Sequence, residues 1–375
     1  MKVLFSITIF IFLFISSNCS FQSTLFNHMA KETEGENLII SPLSIFQVLS
    51  LCANGANGQT LKEMLELLQS DSIDELNKIN YKILSAFKDF STIDIANGIM
   101  TIFTPLEDFT KISEQYLAPI EPLIDVDQVN NWCKNKTHGK LNKILDELDP
   151  NVLMIILNAV YFKGEWKSKF DERATTQLPF YNLGKEEVTI DTMSQIAHFN
   201  YYEDKKIQAI MLNFKKDFMS AIIILPVEGT DINKYINSLS LSNSEYKQIL
   251  GGFRYSKVHL QLPKFELEYK KQLNEILEDL GMYEAFIPSK ADFTNLKKEK
   301  DLFISKVIHK TYLKVFEDGC EAAAVTAIEA AGGAMPVEEE IHDMKVNRPF
   351  LFLLKNSRLP EGYDLVFMSK IETLG

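Results

Sequence analysis

Val307-Ile-His-Lys-Thr-Tyr-Leu-Lys-Val-Phe316, then Glu317-Asp-Gly319, then Cys320-Glu-Ala-Ala-Ala-Val-Thr-Ala-Ile-Glu-Ala-Ala-Gly-Gly-Ala-Met335-Pro336, is the stretch on which the reading of this chain turns. Val307, His309, Thr311, Leu313 and Val315 alternate with Ile308, Lys310, Tyr312, Lys314 and Phe316, the period of a strand, whose second face is expected to carry lysines to water. That strand stops at Glu317-Asp318-Gly319. The small residues beyond it also divide by parity: positions 320, 322, 324, 326, 328 and 330 are Cys, Ala, Ala, Thr, Ile and Ala, whereas Glu321 and Glu329 lie on the other parity. A run of alanines reads as helix on propensity. The alternative is a segment exposed at rest whose period of two stores a future strand, because one face can be buried while the other meets water.

The remainder of the chain reads as one large α+β domain with several sheets, over residues 20–375, with no repeat or Gly/Ser/Pro-rich linker to divide it. Ser41-Pro42 ahead of Leu43, Ile45, Phe46, Val48, Leu49 and Cys52 supplies a cap, a first-turn proline and a buried helix. Thr60 and Glu63 have the spacing of a capping box. A further helix is expected from about Asp127 to Asn135, with Val129, Trp132 and Cys133 on one face, and helical spacing resumes after Gly139 through Leu141, Ile144, Leu145 and Leu148. The run from Val152 to Phe162 is apolar on both faces, as a central strand covered on both sides must be, and Asn158 within it needs a partner. Ala221 to Val227, Val258 to Leu262 and Leu351 to Leu354 are further strands.

Composition removes several function classes. Acidic residues outnumber basic ones 51 to 39 for a net charge of −12, which opposes binding to a phosphate backbone. Lys2, an apolar run from Val3 to Ile15 and the small or polar Ser16 to Ser20 form a secretory leader over residues 1–19, too short to span a bilayer. Export and an extracellular location follow as expectations, and no later run predicts a membrane anchor. Cys52, Cys133 and Cys320 then remain, an odd and scattered set that predicts buried thiols at Cys52 and Cys133 rather than a disulfide framework. No cysteine or histidine pair has metal-ligand spacing, so neither metal nor cofactor is expected. Asn135-Lys-Thr137 is a glycosylation sequon, predicted to be exposed. An enzyme is disfavoured, since GxSxG, P-loop, GxGxxG and HExxH patterns are all missing from the sequence.

Glu317-Asp-Gly-Cys-Glu-Ala-Ala-Ala-Val-Thr326 resembles the hinge of the inhibitory serpins, and Val346-Asn-Arg-Pro-Phe-Leu-Phe352 resembles the strand that closes their reactive loop. Asn37-Leu-Ile-Ile-Ser-Pro-Leu-Ser44, Leu157-Asn-Ala-Val-Tyr-Phe-Lys-Gly-Glu-Trp166, Leu262-Pro-Lys-Phe265 and His309-Lys310 occur in serpin order and spacing. The resemblance spans about residues 21 to 372. It implies the serpin fold, with three β-sheets, about eight or nine helices and an exposed reactive-centre loop at about 317–346. It also implies a suicide-substrate inhibitor: a target serine protease cuts the loop, which inserts into the central sheet and traps the acyl-enzyme.

By residue-for-residue match the resemblance gives a hinge of Glu317, Gly319, Cys320, Glu321, Ala322, Ala323, Ala324 and Thr326, and a polar shutter of Ser41, Ser44, Asn158 and His309. Trp166 matches the tryptophan beneath the loop's point of insertion. Without the resemblance, His309 and Trp166 would read as ordinary core residues. The scissile carbonyl falls on Gly333, Ala334 or Met335, and Pro336 handicaps the last. Small residues there suit an elastase-like protease, Met335 a chymotrypsin- or cathepsin-G-like one. The segment Asp71 to Ser91 mixes Asp71, Asp74 and Glu75 with Lys78, Lys82 and Lys88, so no heparin site is expected. A monomer is expected. Cys320 stands where the family usually has a threonine, serine or other small residue; it reads as merely small, or, as an exposed hinge thiol, as open to oxidation. The rival is a serpin that does not inhibit: a carrier, chaperone or storage protein.

Overall fold

A helix with no solvent face must be apolar all round or satisfy its own polar groups, and Pro42–Gly55 does both. All fourteen of its residues are buried; Ser41 caps it by accepting the Ser44 N–H at 3.4 Å, and the Ser50 hydroxyl and Asn54 amide bond back to carbonyls one turn earlier. It lies against Ile93–Thr101 and Met154–Phe162 on one side and Leu365–Ile371 on the other, and so fills the space between two sheets. In a computed structural model of the chain the residues described are 20–87, 92–216, 218–238, 243–320 and 339–375. The expected leader and Glu321, Ala322, Ala323, Ala324, Thr326, Gly333, Ala334 and Met335 lie outside them.

The described residues form nine α-helices and three sheets, of five, nine and two strands. The five-stranded main sheet runs Phe265–Gln272, Lys306–Val315, Met154–Phe162, Ile93–Thr101, Ile120–Pro122. Its central strand, Met154–Phe162, is buried along its whole length, as its doubly apolar sequence predicts. Lys306–Val315 lies beside it in parallel, His309 opposite Asn158 and Tyr312 opposite Tyr161. On the other flank Ile93–Thr101 is antiparallel, with Asn97 opposite Asn158. The nine-stranded sheet contains the strands expected near residues 221, 258 and 351, as Met219–Pro226, Arg254–Pro263 and Phe350–Asn356.

A second apolar cluster covers the far face of the main sheet. Helix Val126–Lys136 presents Val129, Trp132 and Cys133 as expected, and the Trp132 ring packs so closely on Gly98 that a β-carbon there would fall 2.7 Å from it. The helix expected after Gly139 does not form. Leu141, Ile144 and Leu145 are buried, but their backbone is held from outside: Asn130 Oδ1 accepts the N–H groups of Ile144 and Leu145 at 2.8 and 2.9 Å, Asn130 Nδ2 donates to the Leu145 carbonyl, and Thr137 Oγ1 accepts the Leu141 N–H. Side chains thus take the place of the intrahelical ladder.

The same segment corrects the reading of Lys310. That lysine does not face water but is buried, 3% exposed, with its ammonium on the Lys143 carbonyl and on Glu268, because residues 139–148 roof the face it points from. Lys314, one step along, stays half-exposed against Glu266 at 2.7 Å. The capping box at Thr60 and Glu63 is also replaced. The helix starts at Gly58, capped by Asn57, while Thr60 Oγ1 accepts the Asp292 N–H and Glu63 accepts from Tyr283 and Glu284. A tertiary neighbour has claimed both side chains.

Asn130→Ala removes three hydrogen bonds to the segment that roofs Lys310 and is expected to cost about 1–3 kcal/mol. A lowered melting temperature, with faster amide exchange confined to residues 139–148, is the expected outcome; unaltered exchange there would refute this account.

Candidate functional site

The strand Lys306–Val315 ends in a two-residue hairpin turn. Phe316 and Gly319 exchange N–H···O bonds at 2.9 and 3.1 Å, which sends Gly319–Cys320 back antiparallel to pair with Gly164–Glu165. Gly319 has φ +147°, and a β-carbon on it would sit 2.0 Å from the Gly164 carbonyl, so only glycine fits. Trp166 secures the turn from below. Its backbone N–H donates to Asp318, its indole Nε1–H donates to Phe316 O at 3.0 Å, and its ring stacks on Phe214 at 4.4 Å. Trp166 thus lies directly beneath the turn at the end of Lys306–Val315.

Charged side chains hold the rim. Glu317 is 5% exposed, accepts the Thr175 hydroxyl at 2.6 Å and pairs with Lys264 at 3.0 Å. Burial pushes its carboxyl up, but the Thr175 and Lys264 contacts outweigh that and leave it below its usual value. Asp318 takes Lys169 at 2.6 Å, and Glu165 takes Lys215 at 2.9 Å. Thr175 and Lys264 were not among the predicted residues; nothing in local spacing links positions 175 and 264 to 317.

Cys320 corrects the expectation of an exposed thiol. It is fully buried, free, and its pKa is pushed far up by burial, so it holds no thiolate with which to react. Its inward parity agrees with the alternation read at 320. Cys52 and Cys133 are buried free thiols, as expected. Asn135 is exposed on the last turn of its helix, whereas Thr137 of the sequon is buried.

The four predicted shutter residues converge. His309 Nδ1 lies 2.5 Å from Asn158 Oδ1, and His309 Nε2 accepts the Ser41 N–H at 3.2 Å. Because Nε2 accepts, the ring is neutral with its proton on Nδ1, donated to Asn158. The Ser44 hydroxyl stands 2.9 Å from both Asn158 Oδ1 and the Ser41 carbonyl, and donates to one of them at a time. Asn158 Nδ2 donates to Asn97 Oδ1 at 2.6 Å, a partner the sequence reading missed although Asn97 is a polar residue in a mostly apolar strand. The Asn158–His309 bond crosses between the two parallel strands, and the Ser41 end fixes both to the buried helix.

The arrangement is thus a five-stranded sheet with strands 154–162 and 306–315 in direct contact, a hairpin already turned back at its upper end, and a polar lock beneath. A sequence model described as Serpin (serine protease inhibitor) matches residues 16–371. The chain belongs to the serpin family. The leukocyte elastase inhibitor of Xenopus laevis is 32% identical, the match covering 92% of this serpin and 96% of that protein. Iripin-2 of Ixodes ricinus is 31% identical, covering 90% and 88%. The native-state crystal structure of the thermophilic serpin tengpin aligns with a TM-score of 0.85 at 31% identity, covering 96% of this chain and 93% of that one.

Complete burial lowers the His309 pKa from 6.5 to about 3. The unfolded chain binds a proton at this residue below about 6.5 and the folded one does not, so the stability contributed by neutral His309 is whole above that pH and drains away as pH falls toward 3, at up to about 1.4 kcal/mol per pH unit. Melting temperature is expected to drop between pH 6.5 and 4 in this serpin and to drop less steeply in His309→Gln, which keeps a donor and an acceptor but no titrating group. Parallel slopes in the two proteins would assign the acid sensitivity elsewhere.

Proposed function

We propose that this serpin is an exported suicide-substrate inhibitor that traps a serine protease as an acyl-enzyme. The observation that carries the reading is the parallel pairing of strands 154–162 and 306–315 below a hinge that has already reversed direction. A chain leaving that hinge runs antiparallel to both neighbours, so its insertion replaces one parallel ladder with two antiparallel ones, the pairing that is more stable per residue. The leader over residues 1–19 supports export, and a mature N-terminus at Ser20 is its signature.

Continuing the Phe316–Gly319 pairing fixes a register for the cleaved loop. Ala322 falls opposite Leu313, Ala324 opposite Thr311 and Thr326 opposite His309, all on the face that holds the core. Glu321 then meets Lys314 and Glu329 meets Lys306 on the other face. Mostly small inward residues, with the apolar Ile328 opposite Val307, and charge pairs outward favour insertion, and no charged inward residue obstructs it. Gly333 and Ala334 as scissile candidates favour an elastase-like protease, and Met335 a chymotrypsin- or cathepsin-G-like one; the likeness to a leukocyte elastase inhibitor supports the first.

Mixing the protein with neutrophil or pancreatic elastase is expected to give an SDS-resistant complex, and sequencing the released fragment identifies the cut bond. Clean cleavage with no complex, and a melting temperature unmoved by the cut, would leave the carrier, chaperone or storage reading in its place.

Ala324→Arg places a charge where Thr311 is buried, and is expected to raise the number of inhibitor molecules consumed per protease trapped by at least about tenfold, since an uncompensated buried charge costs several kcal/mol. Undiminished trapping by this variant would contradict the register.

A further inference from the structure

Far from the hinge, three potential metal ligands meet at the edge of the main sheet. His28 and Glu32 are one turn apart on the helix Phe21–Glu32, and Asp279 ends the helix Asn274–Asp279 that follows the outermost strand. His28 Nε2 stands 3.4 Å from Glu32 Oε1 and 3.5 Å from Asp279 Oδ2, and one ligand atom from each of the three residues lies within 4.8 Å of the other two. These separations are long for hydrogen bonds. The two separations from His28 match the edge of a tetrahedron built on metal–nitrogen and metal–oxygen bonds of about 2.0–2.1 Å, which is about 3.3–3.5 Å, and the two carboxylates lie within 4.8 Å of each other.

Two further observations point the same way. His28 Nε2 is shielded from solvent and faces two carboxylates, yet it makes no hydrogen bond of ordinary geometry among the described residues. Lys271, from the outermost strand, stands 3.4 Å from Glu32 Oε2, which leaves Oε1 turned toward His28. Outer contacts of that kind hold a metal-binding carboxylate in orientation. The search of the sequence for paired cysteines and histidines overlooks this trio, because it contains one histidine and its third member is remote in the chain.

We propose that His28, Glu32 and Asp279 bind one zinc-class divalent ion, with water in the fourth position. One imidazole and two carboxylates form a borderline-hard donor set suited to Zn²⁺ and to its Co²⁺ substitute. The ion ties the first helix to the helix that follows the sheet's outermost strand, so it stabilises the native molecule without contact with hinge or shutter.

Equilibrium dialysis of the full chain against zinc chloride, with melting curves, tests this. One ion per chain is expected, with a melting temperature raised by a few degrees at saturation, as for any ligand selective for the folded state. Co²⁺ is expected to show the intense visible absorption of tetrahedral coordination. His28→Gln and Asp279→Asn are expected each to weaken binding at least about tenfold, while His138→Gln, at a separate surface histidine paired with Asp94, leaves it unchanged. Both site variants lie at the surface, so metal-free melting curves like the parent's verify that they fold. No saturable zinc binding, or equal binding by parent, His28→Gln and Asp279→Asn, would overturn the proposal.

Discussion

The strands Met154–Phe162 and Lys306–Val315 run the same way and touch, so a third strand that satisfies both edges with antiparallel bonds must run opposite to the two of them. The chain after Val315 is set up to do so by a turn of two residues, Glu317 and Asp318. Reversal there fixes direction, and the Phe316–Gly319 pair fixes register. Side-chain parity in the stretch after Gly319 is then a question of which residues meet the buried face of Lys306–Val315 and which meet its lysines.

Two locks of different chemistry guard the seam between these strands. The lower is neutral and dry: Ser41, Ser44, Asn97, Asn158 and His309 share hydrogen bonds across the two strands and the helix behind them. Parting the strands breaks the Asn158–His309 bond, and both groups need new partners because neither can reach water. On the proposed insertion, the hinge register would bring the Thr326 hydroxyl opposite His309. The upper lock is ionic and nearer the surface, with Glu317, Asp318 and Glu165 held by Lys264, Lys169 and Lys215. Salt weakens the upper lock and leaves the lower one almost untouched, because screening acts on charges that water can reach. Acid acts on both, through the lowered pKa values of Glu317 and His309.

The sequence made the central strand, the buried helix and the hinge strand legible because each carries its own periodicity. Pro42–Gly55 needed only its cap and its apolar run, and Met154–Phe162 only its two apolar faces rich in branched residues. The shutter residues were placed by motif, and the structure brings all four together; Asn97 escaped because its role depends on strand register rather than on a neighbour in sequence. Lys310 and the segment after Gly139 failed together. The helical spacing of Leu141, Ile144 and Leu145 was a true sign of burial, but Asn130 and Thr137 captured the backbone, and the irregular segment that resulted covers the face where Lys310 was expected to meet water. Thr60 and Glu63 failed for a related reason, since both serve a segment more than two hundred residues away.

Cys320 connects the resting molecule to its proposed product. The ladder between the parallel strands ends at Tyr312 and Tyr161, and just beyond it Gly319–Cys320 lies between the end of one strand and Gly164–Glu165, which continues the other. The upper end of the seam is therefore already parted by the first two residues of the returning chain. Closing a turn and breaking into a sheet are the steps that gain least for the entropy they consume, and both are complete before any bond in the loop is cut. What remains is propagation: each further pair of residues breaks one stretch of the parallel ladder and forms two antiparallel ones. A fully buried cysteine at the tip of that wedge is small enough to fit and, as a neutral thiol, carries no charge into the sheet.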